Sequence, residues 1–135
     1  EYCFIKTDDN HHGGMNMAKN ERIDFDLEIN EGETPTLLHT AKDGDGIAIT
    51  ASEISGVFIR VDDYHNDTAI KARTAISSLT NPVSYTLTPS ETAILNSERA
   101  YEYRFVTFDC VWQTSKHITD EYVLKINNLK YHEAV

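Results

Sequence analysis

The sequence is short of the residues that staple a chain, break it or carry it through a bilayer. Only two cysteines, Cys3 and Cys110, occur in 135 residues, and they lie far apart. A disulfide-stapled secreted domain of this length normally carries four or more, so that framework is excluded and synthesis in a reducing compartment is expected. No apolar run approaches the roughly 18 residues that would span a bilayer, and no membrane partner is expected. The opening EYCFIKTDDNHHGG has no basic segment followed by an apolar one, so it does not read as a signal peptide. Three prolines and six glycines rule out collagen-like repeats. Basic residues are scarce as well: 12 Lys plus Arg stand against 22 Asp plus Glu, a net charge of −10. Such a field repels polyanions, which excludes nucleic acid as the expected ligand.

What is present is alternation. Ile23, Phe25, Leu27 and Ile29 alternate with Asp24, Asp26, Glu28 and Asn30, the period-two pattern of a strand with one wet, acidic face. Asn30-Glu31-Gly32-Glu33 supplies a turn, and residues 34–40 read as a second strand with Pro35 at its start. Lys42-Asp43-Gly44-Asp45-Gly46 is a tight reversal. Ile47 and Ile49, then Val57, Ile59 and Val61, continue the alternation around a small polar stretch at 51–55. Residues 62–67 read as a polar loop, 69–76 as a strand, and Asn81-Pro82 as a break. Val83, Tyr85 and Leu87 alternate again. Thr88, Pro89 and Glu91 then form a capping-box pattern, which predicts one helical turn over 88–95. Tyr101, Tyr103 and Phe105 point one way, expected to be the core, while Glu102, Arg104 and Val106 point the other. The strand they begin continues to Cys110, and Tyr122, Leu124 and Ile126 mark the last strand.

This profile predicts an all-β fold, an antiparallel Ig-like β-sandwich of about seven or eight strands with one short helical turn. The domain division expected is a flexible or docking N-terminal arm at 1–20, the sandwich at 21–129 and a tail at 130–135. Met15 or Met17 is a candidate start, which would set the first fourteen residues apart.

Two segments carry a family resemblance. Ser84-Tyr85-Thr86-Leu87-Thr88-Pro89-Ser90-Glu91-Thr92-Ala93-Ile94-Leu95 is followed by Ala100-Tyr101-Glu102-Tyr103-Arg104-Phe105. Upstream, residues 25–38 precede Lys42-Asp43-Gly44-Asp45-Gly46 and then Ile54-Ser55-Gly56-Val57-Phe58-Ile59-Arg60. In order and spacing, over roughly 21–127, the chain resembles small phage Ig-like structural domains, in particular the N-terminal domain of phage baseplate upper proteins. The resemblance implies a non-enzymatic virion structural protein that joins or decorates tail, baseplate or capsid components by protein–protein contacts. It would be present in multiple copies of a symmetric assembly, and located in the virion after assembly in the host cytoplasm.

A search for chemistry points the same way. Asp43-Gly44-Asp45-Gly46 opens like an EF-hand, but the positions that need Gly and Glu further on are Ala48 and Ile54, so it reads as a hairpin turn. Residues 62–67 form a denser oxygen cluster that could take calcium at a sandwich end, although a solvated loop is the plainer account. His11-His12 with Cys3 lacks a second ligand pair for zinc. No G-x-S-x-G elbow or phosphate-cradling glycine loop occurs. Cys110, at the end of an apolar strand, reads as a buried thiol. No catalytic residue, cofactor or metal is therefore expected. Trp112, in a stretch that reads as a loop, is the first candidate contact residue, with Tyr64, Phe4 and Tyr2 beside it. The alternative function is a carbohydrate-binding module, calcium-assisted or not, that uses exposed aromatic rings to recognise a host surface.

Overall fold

Alternation becomes a strand wherever its apolar face has something to pack on, and the computed structural model shows where that happens. It describes residues 23–65 and 68–130, together with the backbone of Tyr2 and Cys3. Eight strands run in the order β1 (Tyr2–Cys3), β2 (Leu27–Asn30), β3 (Thr36–His39), β4 (Ile54–Asp63), β5 (Thr68–Ala75), β6 (Val83–Thr86), β7 (Tyr101–Trp112) and β8 (Lys116–Asn127). They form two sheets, β1-β3-β6 and β2-β8-β7-β4-β5. The fold is an all-β sandwich, as the sequence predicts.

Most neighbours are antiparallel, but two edge strands are not: β1 lies parallel to β3, and β2 parallel to β8. The long strands β4, β7 and β8 are the frame, with β7 paired to β4 from Asp63↔Arg104 to Ile54↔Trp112 and to β8 along its whole length. Between the sheets lie Leu37, Ala41, Ile49, Val57, Ile59, Val61, Val83, Leu87, Val106, Phe108, Cys110, Tyr122 and Leu124, all buried. Burying side chains of this size stabilises by about 1.5–3 kcal/mol each relative to exposure, the dominant favourable contribution to such a fold. One polar bridge crosses the core. The buried His39 of β3 shares a hydrogen bond through Nδ1 with the Tyr122 hydroxyl of β8. Its ring stacks on Phe108 at 5.0 Å, and its Nε2 lies 3.2 Å from Asp120.

The connections follow their turn chemistry. Asp43 Oδ1 accepts from the N–H groups of Asp45 and Ile47, while Gly46 takes φ +80°, which favours glycine. Asn81 ties the β3–β4 connection down, accepting from Ala41 N–H and donating to the carbonyls of Ala41 and Ile49. The capping box forms as well: Thr88 N–H donates to Glu91 and Glu91 N–H to the Thr88 hydroxyl. It closes a hydrogen-bonded turn, however, and among the described residues the one 3-10 turn lies at Ala51–Glu53, in the stretch read as small and polar.

Three strand readings need correction. Regular pairing of the first acidic strand starts at Leu27, so Phe25 stays 41% exposed. Asp62 and Asp63 belong to β4 rather than to a loop, because Asp63 is drawn inward by a buried partner. Val111 and Trp112 belong to β7, which leaves a turn of Gln113, Thr114 and Ser115 before β8.

Candidate functional site

The largest correction concerns the faces of β7. Val106, Phe108 and Cys110 are buried between the sheets, and strand parity places Arg104 and Glu102 on that same inner face. Both are 0% exposed, and Asp63 is 1% exposed. Tyr101, Tyr103 and Phe105 are thereby turned to the outer face of the five-stranded sheet, where Tyr101 is exposed, Phe105 half-buried and Tyr103 still buried, at 4% exposure. The sequence had suggested the opposite, since aromatics are more often buried than Glu or Arg.

The inner cluster is a buried ionic network that the partly exposed Arg99 joins, its Nη1 3.5 Å from Glu102. Arg104 donates to Asp63 at 3.2 Å, to Glu102 at 2.9 Å and to the carbonyl of Ala93 at 2.6 Å. Glu102 also accepts from the N–H groups of Leu95 and Asn96, at 3.0 and 2.8 Å. Burial alone would raise the Glu102 carboxyl, but those two N–H groups and the guanidinium overcome it and hold it below the ordinary carboxylate range. A carboxylate held ionised in this way is the reverse of the raised, protonated acid that glycoside hydrolysis needs. The network pins the connection between β6 and β7 to the sandwich.

The outer cluster is aromatic. Tyr64, at the end of β4, is 40% exposed and meets Phe105 edge-on at 5.5 Å and Tyr103 at 6.0 Å. Tyr103 meets Tyr101, itself 37% exposed, at 5.5 Å. Lys125 of β8 lies over the Tyr101 ring at 4.4 Å and over the Phe25 ring at 5.5 Å, joining the band to the run-up to β2. The band borders a depression of about 520 Å³ lined by Ile23, Asp24, Phe25, Tyr101, Tyr103 and Lys125. His65 stands beside it, 5.1 Å from Tyr64. Burial first, and the charge of Arg99 next, push its imidazole below the ordinary histidine value.

Of the sequence candidates, Tyr64 therefore belongs to this band. Trp112 sits at the other end of β7, half-buried against the core, with Lys116 5.0 Å above its ring. Nine residue steps along β7 separate Trp112 from Tyr103, roughly 30 Å, so no small ligand bridges the two. Phe4 lies outside the described residues, as do His11, His12, Asn66 and Asp67 and the proposed arm at 1–20 apart from the β1 backbone; for Tyr2 only that backbone is described. Among the described residues, no group of three or more His, Cys, Asp or Glu side chains comes together as a metal site would require. The Cys110 thiol is buried, and desolvation together with Asp109 pushes its pKa up, away from a reactive thiolate.

Phe25, Tyr101 and Phe105 are the members of this band that sequence reasoning did not single out. The available signal was parity: Val106, Phe108 and Cys110 already define the inner face, and counting back from them puts Tyr103 and Tyr101 outside. Comparison with family models, curated proteins and solved structures finds no match for this chain.

Proposed function

We propose that the protein is a non-enzymatic interaction module that works as a structural component of a phage virion and packs against other proteins through the outer face of its five-stranded sheet. The observation that carries the contact surface is the aromatic band. Tyr64, Phe105, Tyr103 and Tyr101, with Lys125 and Phe25, form one connected strip, and three of its members are among the exposed large apolar residues of the chain. Aromatic residues gathered on one surface supply much area with little conformational entropy to lose, which is how protein interfaces concentrate binding energy. The virion setting rests on the sequence resemblance, and the tail, baseplate and capsid surface all remain candidates for it.

The test is a Tyr64→Ser/Tyr101→Ser variant, shown by circular dichroism to fold, in competition with the wild-type chain for entry into particles. A tenfold or larger disadvantage, about 1.4 kcal/mol, is expected. Equal incorporation would remove the band from the interface, and absence of the wild-type chain from purified particles would remove the virion role.

One observation favours the alternative, a carbohydrate-binding module. The depression beside Tyr101 and Phe25 pairs exposed rings with a carboxylate, Asp24, and an ammonium, Lys125, the mixture that stacks on and hydrogen-bonds to a sugar. That reading expects saturable binding on a glycan array, lost on Tyr101→Ala and retained on Trp112→Ala. Loss on chelation would add calcium to it.

A further inference from the structure

Two polar atoms at one end of the aromatic band are buried without a hydrogen-bond partner among the described residues: Nε2 of His65 and Nε of Arg104. His65 follows Tyr64 in the turn that leaves β4. That turn is tied to β7 by the Tyr64 N–H, which donates to the Tyr103 carbonyl at 3.2 Å. The half-buried imidazole meets the Tyr64 ring edge-on at 5.1 Å and stacks on the Tyr103 ring at 6.4 Å. The Tyr64 end of the band is thus packed on a ring that can change its charge.

The charged groups that face this ring come from three places. Asp63 precedes it on β4, Glu102 and Arg104 act on it from β7, and Arg99 from the connection that leads into β7. Both carboxylates are already engaged: Asp63 and Glu102 pair with Arg104, and Glu102 also with Arg99. A proton on His65 would therefore set three cations against two carboxylates. It would also make donors of both ring nitrogens. The buried Nε2 meets no acceptor, and the cluster has none to spare, since the Arg104 Nε–H lacks one as well. Burial and the Arg99 charge accordingly push the imidazole below the ordinary histidine value.

We infer that His65 is an acid-operated latch on the aromatic band: as a neutral ring it holds the Tyr64–His65 turn against Tyr103, and on protonation it swings out to water and draws Tyr64 away with it. Water then supplies the acceptor that the buried site lacks, and a buried charged donor without a partner is costly enough to drive the exchange. The strip keeps Phe25, Tyr101 and Lys125 but loses its Tyr64 end, so a partner held along its whole length is released in acid. That release rests on the band being the contact surface; the movement of the turn does not.

The experiment is an NMR titration of the full chain, isotope-labelled in its His and Tyr rings, from about pH 8 to about pH 5, the range in which histidine changes charge. The His65 signal, identified by its loss in His65→Leu, is expected to titrate with a midpoint below 6.5. The Tyr64 and Tyr103 ring signals should move with that midpoint, and the nuclear Overhauser contact between His65 and Tyr103 should vanish at the acid end. The Tyr64 amide should lose its protection from hydrogen exchange there, relative to the intrinsic rate at each pH. In His65→Leu the same Tyr64 and Tyr103 readings should stay constant across the range. A midpoint at or above 6.5, a His65–Tyr103 contact that survives protonation, Tyr64 protection that persists in acid, or a Tyr64 response that persists in His65→Leu would overturn the inference. The wild-type readings need no variant to fold. All of them come from the isolated chain, so they stand or fall apart from the particle competition that tests the band itself.

Discussion

Arg104 shows how much rests on one side chain in this protein. It is fully buried with two carboxylates, and a buried charge is tolerable only while its partners are in place. Arg104→Ala is expected to cost about 3–5 kcal/mol in urea denaturation, because Asp63 and Glu102 would both lose their buried guanidinium, leaving Glu102 with Arg99 at 3.5 Å and the two loop N–H groups. A Glu102→Gln/Arg104→Met/Asp63→Asn triple variant should recover much of that loss, which would separate the cost of orphaned charge from the worth of the network. The same residues set the response to acid. Glu102 has a lowered folded pKa, so its contribution is complete above its unfolded value of 4.5 and is lost as pH falls through the lower folded value. His65, also lowered, adds to this in the same direction. The unfolded chain takes up its proton near 6.5 while the folded chain resists it, so stability falls as pH drops below that point. Thermal unfolding between pH 7 and pH 3 should therefore show a falling Tm in two stages. Leu at position 65 should remove the upper stage, and Glu102→Gln should flatten the lower one.

At the scale of elements, the β7–β8 hairpin carries visible strain. Its turn holds Gln113 at φ +49° and Thr114 at φ +65°, a left-handed conformation that is costly for a β-branched residue. Relief of about 1–2 kcal/mol on Thr114→Gly outweighs the ~0.5–1 kcal/mol that glycine adds to the unfolded chain's entropy, so a small rise in Tm is expected by calorimetry. The elements were largely legible in the sequence, since β4, β6 and the second half of β8 follow their alternation, β5 forms where a strand was read, and the capping box forms between the residues that spell it. What was not legible has a common physical origin. Alternation fixes which residues share a face, but not which face is buried, when both carry bulk. On β7 three aromatics faced Glu102 and Arg104, and the choice was made by Asp63 across the strand pair and by the Leu95 and Asn96 N–H groups from a distant loop. No local pattern shows those partners. The aromatic band followed from that choice, so Tyr64 was singled out from the sequence while Phe25 and Tyr101 were not.

At the scale of the whole molecule, charge acts against compactness. A net −10 opposes compaction, so the Tm of dilute protein, followed by calorimetry, should rise as salt is raised from about 10 to 200 mM. The parallel pairing of β2 with β8 bears on synthesis. Asp26 and Val123, which bond across that pair, stand 97 positions apart. At ~5–20 residues per second, the β2 segment waits roughly 5–20 s on the ribosome before its neighbour exists. During that interval a stretch of alternating Ile, Phe, Leu and Ile is open to any other nascent chain. The carboxylates of Asp24, Asp26 and Glu28 between them act as gatekeepers that keep it from aggregating until β8 arrives.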